Sequence, residues 1–235
     1  MSNIGSYEER VKNFDWSISE KELGYKDGDV INIGWYCSDR ICEQGKSDKI
    51  ALYHEGFTGK ERKYTFNDIR LAGNTIGTFL RNLGIKEQDR VCLFMDKIPE
   101  LYLSFLGVLK IGAIVQPLFS AFGDESLYVR LENAGTRAII SQRKHVGKVR
   151  KIIDRLPDLE YIIIVDHNEA KPLKEKEISF NLEKEDAVEN MEIFPTKADS
   201  PSVLHYTSGT TGQPKGVRHV HLFSSPHIKR TRNVQ

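Results

Sequence analysis

Arg90-Val91-Cys92-Leu93-Phe94-Met95, then Pro99-Glu100-Leu101-Tyr102-Leu103-Ser104-Phe105-Leu106-Gly107-Val108-Leu109-Lys110, then Ala113-Ile114-Val115-Gln116-Pro117-Leu118 is the stretch that decides the fold. The outer pieces are apolar runs of strand length with no polar face, as expected of strands buried on both sides. Pro99 carries the fixed φ of a first helical turn, so the middle piece reads as a helix ending near Lys110. A strand, helix, strand unit of this size implies a right-handed crossover between parallel strands.

The same alternation continues in both directions. Downstream, a helix over 124–133 leads to a strand over 137–141, and a helix over 146–156 leads to a strand over 161–165. Upstream, Thr65 with Asp68 three residues on forms a capping-box pattern, and Ile69, Ala72, Ile76, Phe79, Leu80 and Leu83 recur at helical spacing before Gly84. The expectation is an α/β fold, a mostly parallel layered sheet with helices on both faces. It occupies residues 63–222. Residues 1–62 read as a lead-in segment, with a helix over 29–43 turning Trp35 and Tyr36 inward. A hairpin is expected over 49–53 and 63–66, around the turn-rich stretch 55–60. The polar, acidic stretch 166–200 reads as a solvated connection.

Composition narrows the classes of function. The chain has 235 residues, 39% of them apolar, which suffices for one good-sized core, and its net charge of +1 argues against electrostatic binding of nucleic acid. Cys37, Cys42 and Cys92 have neither metal-ligand spacing nor an even framework, so neither disulfides nor structural zinc are expected. No signal core opens the chain, and no apolar run reaches the roughly 20 residues that span a bilayer. The expected location is cytoplasmic, with no membrane contact.

The chemistry concentrates in Tyr206-Thr207-Ser208-Gly209-Thr210-Thr211-Gly212-Gln213-Pro214-Lys215-Gly216-Val217. Glycines at 209, 212 and 216 let backbone N–H groups approach a ligand, four hydroxyls add donors, and Lys215 adds a compact positive charge, a composition suited to polyphosphate. The order excludes a Walker A loop, because Pro214 precedes the lysine and Gly216 follows it. Strands are expected on either side, over 203–206 and 217–221. The competing reading is a Gly/Thr-rich turn with no ligand, which would not need three glycines, four hydroxyls and a lysine.

This run resembles the phosphate-binding signature of the adenylate-forming enzymes, the superfamily of acyl-CoA synthetases, luciferases and peptide-synthetase adenylation domains. The stretch from Pro99 to Phe122, followed by Arg130-Leu131-Glu132-Asn133, resembles the N-terminal domain of the acetyl-CoA synthetases. Leu204-His205-Tyr206 and His219-Val220-His221 around the loop are similar to bacterial and archaeal acetate-type enzymes. The resemblance covers residues 7–222. It implies ATP-dependent activation of a carboxylic acid, acetate first, to an acyl-adenylate with release of pyrophosphate, and then transfer to CoA with release of AMP. It also implies Mg²⁺ alongside ATP. On this resemblance Thr207, Ser208, Gly209, Thr210, Thr211, Gly212 and Lys215 hold the ATP phosphates. Arg143 and Lys144 fall where related synthetases place basic residues against CoA, although a solvated pair of surface cations fits the local sequence too.

Other candidates are read as structural. His219 and His221 could share a strand face but lack a third ligand for a metal, His205 reads as packing, and Phe119, Phe122 and Tyr128 read as core. No catalytic side chain is expected in this span. The family's ribose-binding aspartate, aromatic-glutamate motif and catalytic lysine find no place after residue 222. Residues 223–235 have a proline and no apolar stripe and read as a divergent, disordered tail, with the look of a frameshift or premature stop. The chain is therefore expected to be the incomplete N-terminal part of the fold and inactive alone. The alternatives are a synthetase for propionate or another acid, and a non-catalytic nucleotide-binding module complemented by a separately encoded C-terminal half.

Overall fold

A computed structural model describes residues 6–13, 15–26, 28–207 and 212–222. Two short helices, α1 (Tyr7–Asn13) and α2 (Trp16–Leu23), precede α3 (Ile33–Tyr36) and α4 (Asp39–Ile41). The hairpin β1 (Ile50–Glu55) and β2 (Glu61–Thr65) forms a small antiparallel sheet of its own. Then come α5 (Phe66–Asn82), β3 (Arg90–Phe94), α6 (Pro99–Lys110), β4 (Ile114–Pro117), α7 (Asp124–Ala134), β5 (Ala138–Ser141) and α8 (Arg143–Arg150). Four strands complete the order: β6 (Tyr161–Ile164), β7 (Glu177–Ser179), β8 (Pro201–Thr207) and β9 (Lys215–Val220).

Local chemistry sets the helix ends. Thr65 Oγ1 accepts the Asp68 amide at 3.1 Å while Asp68 Oδ2 accepts the Thr65 amide at 2.8 Å, closing the capping box of α5. Gly84, at φ +83°, turns the chain away from that helix. Pro99 opens α6 as its spacing predicts.

The seven-stranded sheet has the order β7-β6-β5-β3-β4-β8-β9 and is parallel except for β9, which runs antiparallel to β8. Alternation within each strand divides the core in two. Val91 and Leu93 of β3 face a cluster with Ile69, Leu80, Leu103 and Leu109 of α5 and α6. Cys92 and Phe94 face the opposite cluster, with Leu127, Leu131, Val146 and Val149 of α7 and α8. The fold is the expected α/β architecture, covered on both faces.

Two stretches differ from the sequence reading. The helix expected over 29–43 is broken into α3, α4 and a π-turn over Cys42–Lys46, because this segment must lie against α6 and turn twice. Gly34 sits so close to α6 that a Cβ there would lie 2.8 Å from Lys110 Cγ, and Ser38 Oγ donates to the Gly34 carbonyl at 2.6 Å where the helix breaks. The break brings Asp39 onto the fully buried Lys110 ammonium at 2.6 Å; Asn74 Oδ1 accepts from the same ammonium at 2.7 Å. Burial lowers the Lys110 pKa, and the Asp39 carboxylate opposes that fall.

The second difference is the stretch 166–200, which is not merely a solvated connection. It contributes edge strand β7, the buried Phe180 stacked 4.3 Å from Phe79, and Glu177, whose side chain is 1% exposed between Arg150 and Arg143. Burial raises the Glu177 carboxyl, yet the Arg150 hydrogen bond, the Lys174 amide and the two arginine charges together hold it below its ordinary range.

Removing one member of a buried ion pair strands the other charge at a cost of about 3 kcal/mol. Asp39→Ala is therefore expected to lower unfolding stability in urea by about that amount. The double variant Asp39→Leu/Lys110→Met is expected to recover most of the loss, because it buries no unpaired charge.

Candidate functional site

The carboxyl ends of the parallel strands gather the polar groups. The chain passes from β3 to β4 on one side through α6, and then to β5 on the other side of β3 through α7. Such a reversal leaves a crevice outside the carboxyl ends, where ligands of open α/β sheets bind. Asp96 follows β3, Ser120 follows β4, Gln142 follows β5, and Thr207 ends β8.

Thr207 pairs directly with Lys215 at the open end of the β8–β9 ladder, so their side chains project from the same face. Both are exposed. Gly212 has φ +87°, with nothing within 4 Å of where a Cβ would stand, so its backbone is open to an approaching group. Ser208, Gly209, Thr210 and Thr211 lie outside the described residues. Gly216 plays a different part from the one read in the sequence. Tyr206 lies opposite it, and a Cβ on Gly216 would stand 3.2 Å from Leu204 Cδ1 and 3.5 Å from the Tyr206 ring. Its lack of a side chain makes room chiefly for Leu204, with the Tyr206 ring at ordinary contact distance.

Arg143 and Lys144 open α8 at the same edge, and both face carboxylates. The Arg143 guanidinium stands 3.6 Å from Glu177 and donates to the Pro172 carbonyl at 3.2 Å. Lys144 Nζ pairs with Asp96, which also meets His145 Nε2 at 2.8 Å. The Lys144 hydrogen bond, helped by Ser120 and His145, holds the Asp96 carboxyl well below the usual range. Lys148 donates to the Ser120 carbonyl at 2.8 Å, tying α8 to the turn after β4. Phe119, read as core, is instead 65% exposed on that turn, edge-on to Phe122 at 6.0 Å. Phe122 and Tyr128 do pack against the second core cluster.

The histidines are also placed differently. His205 is exposed rather than packed, its ring edge-on to His219 at 5.3 Å across the ladder. His221 is 4% exposed beyond the end of β9, where its Nδ1 accepts the Ile33 amide at 3.0 Å. The sequence carried no signal for this, since the partner amide lies 188 residues away. A cavity of about 550 Å³ between α5, α6 and the stretch after β7 is lined by none of Thr207, Lys215, Arg143 or Lys144. Among the described residues no three His, Cys, Asp or Glu side chains gather as a metal site, and no helix is long and apolar enough to cross a membrane.

Comparison with known proteins adds to this geometry. The family model described as AMP-binding enzyme matches residues 39–225. An acetyl-coenzyme A synthetase of Bacillus subtilis is 34% identical over 220 residues, covering 93% of this chain and 38% of the relative. A 3-hydroxypropionyl-coenzyme A synthetase of Sulfurisphaera tokodaii is 28% identical over 206 residues, covering 82% of this chain and 31% of that protein. Among solved structures, an acyl-CoA synthetase of Brucella canis superposes with a TM-score of 0.78 at 26% identity, covering 92% of this chain and 38% of that one. The chain thus spans 31–38% of the length of these relatives.

Burial pushes the His221 pKa down to about 4. The folded state keeps this imidazole neutral while the unfolded chain takes up a proton at about pH 6.5. Above that value neither state is charged. As pH falls from about 6.5 to about 4, stability is expected to drop by roughly 3 kcal/mol through this one group. Urea unfolding of wild type and His221→Asn at pH 7 and pH 5 checks this, with a smaller drop expected in the variant.

Proposed function

Because this chain belongs to the AMP-binding enzyme family, we propose that it carries the phosphate-facing and CoA-facing parts of an acetate-type acyl-CoA synthetase. The observation that carries the reading is the pairing of Thr207 with Lys215 at the open end of β8–β9, on the carboxyl edge of the sheet. Thr207, Gly212 and Lys215 would receive the ATP phosphates, with Ser208, Gly209, Thr210 and Thr211 between them by sequence. Arg143 and Lys144 would face the CoA phosphates. Mg²⁺ would accompany ATP on its phosphate oxygens.

In this reading a carboxylate oxygen of acetate attacks the α-phosphorus, the bond to the bridging oxygen breaks, and pyrophosphate leaves. The CoA thiolate then attacks the acyl carbon, and AMP departs with the electron pair of the C–O bond. Neither step passes through a covalent enzyme intermediate, so the protein contributes position and charge. The Lys215 ammonium would offset charge on the departing pyrophosphate, and the Thr207 hydroxyl would orient it. Acetate is favoured by the acetyl-coenzyme A synthetase relatives; the 3-hydroxypropionyl-coenzyme A synthetase keeps another short acid within the same reading. The whole reaction is proposed for the full length of such a protein, as one polypeptide or with a separately encoded C-terminal half.

A charge-assisted contact is worth about 1.5–3 kcal/mol, or roughly 10- to 100-fold in affinity. Calorimetric titration with ATP is expected to show a loss of that size in Lys215→Ala, and titration with CoA a smaller loss in Arg143→Ala and Lys144→Ala. Unchanged ATP affinity in Lys215→Ala would overturn the assignment.

A further inference from the structure

Strand β8 joins the sheet between β4 and β9. Its parallel ladder with β4 has one register pair, Val115 with Val203, whereas its antiparallel ladder with β9 runs from Pro201 to Thr207. The open end of a hairpin frays more readily than its base, and here that end carries Thr207 and Lys215. Something else must fix that end if it is to present a phosphate site.

The contact in place is Tyr206. Its hydroxyl donates to Asn133 Oδ1 of α7 at 2.8 Å, bridging 73 residues of sequence. Gly216 lies opposite Tyr206 on β9, and the Arg130 guanidinium lies 6.0 Å from the ring centre. Arg130 also lies 4.3 Å over Phe122 in the turn that leads from β4 into α7. Helix α7 is in turn fastened to β4, because fully buried Gln116 donates to the Arg130 carbonyl at 2.9 Å and accepts the Thr136 hydroxyl at 2.6 Å. The rigid element is α7, and Asn133 is its point of attachment to β8.

We propose that Asn133 is a positioning residue: by accepting the Tyr206 hydroxyl it fixes the outer end of β8–β9, and so the placement of Thr207 and Lys215 toward a polyphosphate. Arg130 extends the same strut to the turn carrying Phe119 and Ser120, so the phosphate-facing and CoA-facing edges share one support. This rests on the reading of Thr207 and Lys215 as phosphate-facing.

Hydrogen exchange measured by mass spectrometry, together with ATP titration, separates the two claims. In Tyr206→Phe and Asn133→Leu, exchange at residues 204–207 and 215–217 is expected to rise about fivefold, the equivalent of one net hydrogen bond, with β3 and β5 unchanged. ATP affinity is expected to fall by a similar factor. Asn133→Asp keeps the acceptor oxygen and is expected to restore both. Unchanged exchange in β8–β9, or an Asn133→Asp variant no better than Asn133→Leu, overturns the proposal. Raised exchange with unaltered ATP affinity overturns its link to phosphate binding. Failure of wild type to bind ATP overturns the underlying functional reading, and it is recognised by the absence of any effect of Lys215→Ala.

Discussion

Parallel strands covered on both faces leave only their ends open to water, and that constraint places the polar groups of the candidate site. With Val91 and Leu93 turned to one core and Cys92 and Phe94 to the other, β3 has no face on which a ligand could sit. The reversal of strand order between β4 and β5 then opens the carboxyl edge. Asp96, Ser120, Gln142 and Thr207 arrive there from four different strands. Had the sheet been antiparallel, the same residues would have been divided between its two ends.

Much of this was legible in the sequence because the responsible signals are local. Pro99 and the apolar run behind it marked α6 at its observed bounds, and Thr65 with Asp68 marked the start of α5 to the residue. What was not legible depends on partners far along the chain. Glu177 looks like a solvated charge until Arg150 and Arg143 close over it, and only then does a three-residue strand join the sheet edge. Lys110 reads as the polar end of a helix, yet Asp39 and Asn74 make it one of the most deeply buried side chains. Phe119 reads as core for want of any sequence mark of a turn, and the structure leaves it in water.

The same distinction runs through the candidate site. The composition of residues 206–217 pointed to phosphate from hydroxyls, glycines and one lysine, and it needed no tertiary information. It could not separate glycines that serve a ligand from one that serves packing. Gly212 stands in open space at positive φ, whereas a Cβ on Gly216 would crowd Leu204. Two residues of one motif thus meet different surroundings, the first open space and the second the packed side chains of β8.

The basic edge has a further property that sequence could not supply. Lys144 and Arg143 are already paired with Asp96 and Glu177, so an arriving phosphate meets cations that have a resident counter-charge. The two pairs are unequal. Asp96 and Lys144 are both substantially exposed, and exposed pairs are worth no more than about 1 kcal/mol, so a multiply charged phosphate can take Lys144 over at little cost. Glu177 is buried and needs its arginines to stay ionised in a dry site, which makes Arg143 the harder cation to recruit. On the proposed CoA-facing role, the electrostatics would rank Lys144 ahead of Arg143 as the cation free to meet a phosphate, while Arg143 stays with Glu177 of β7.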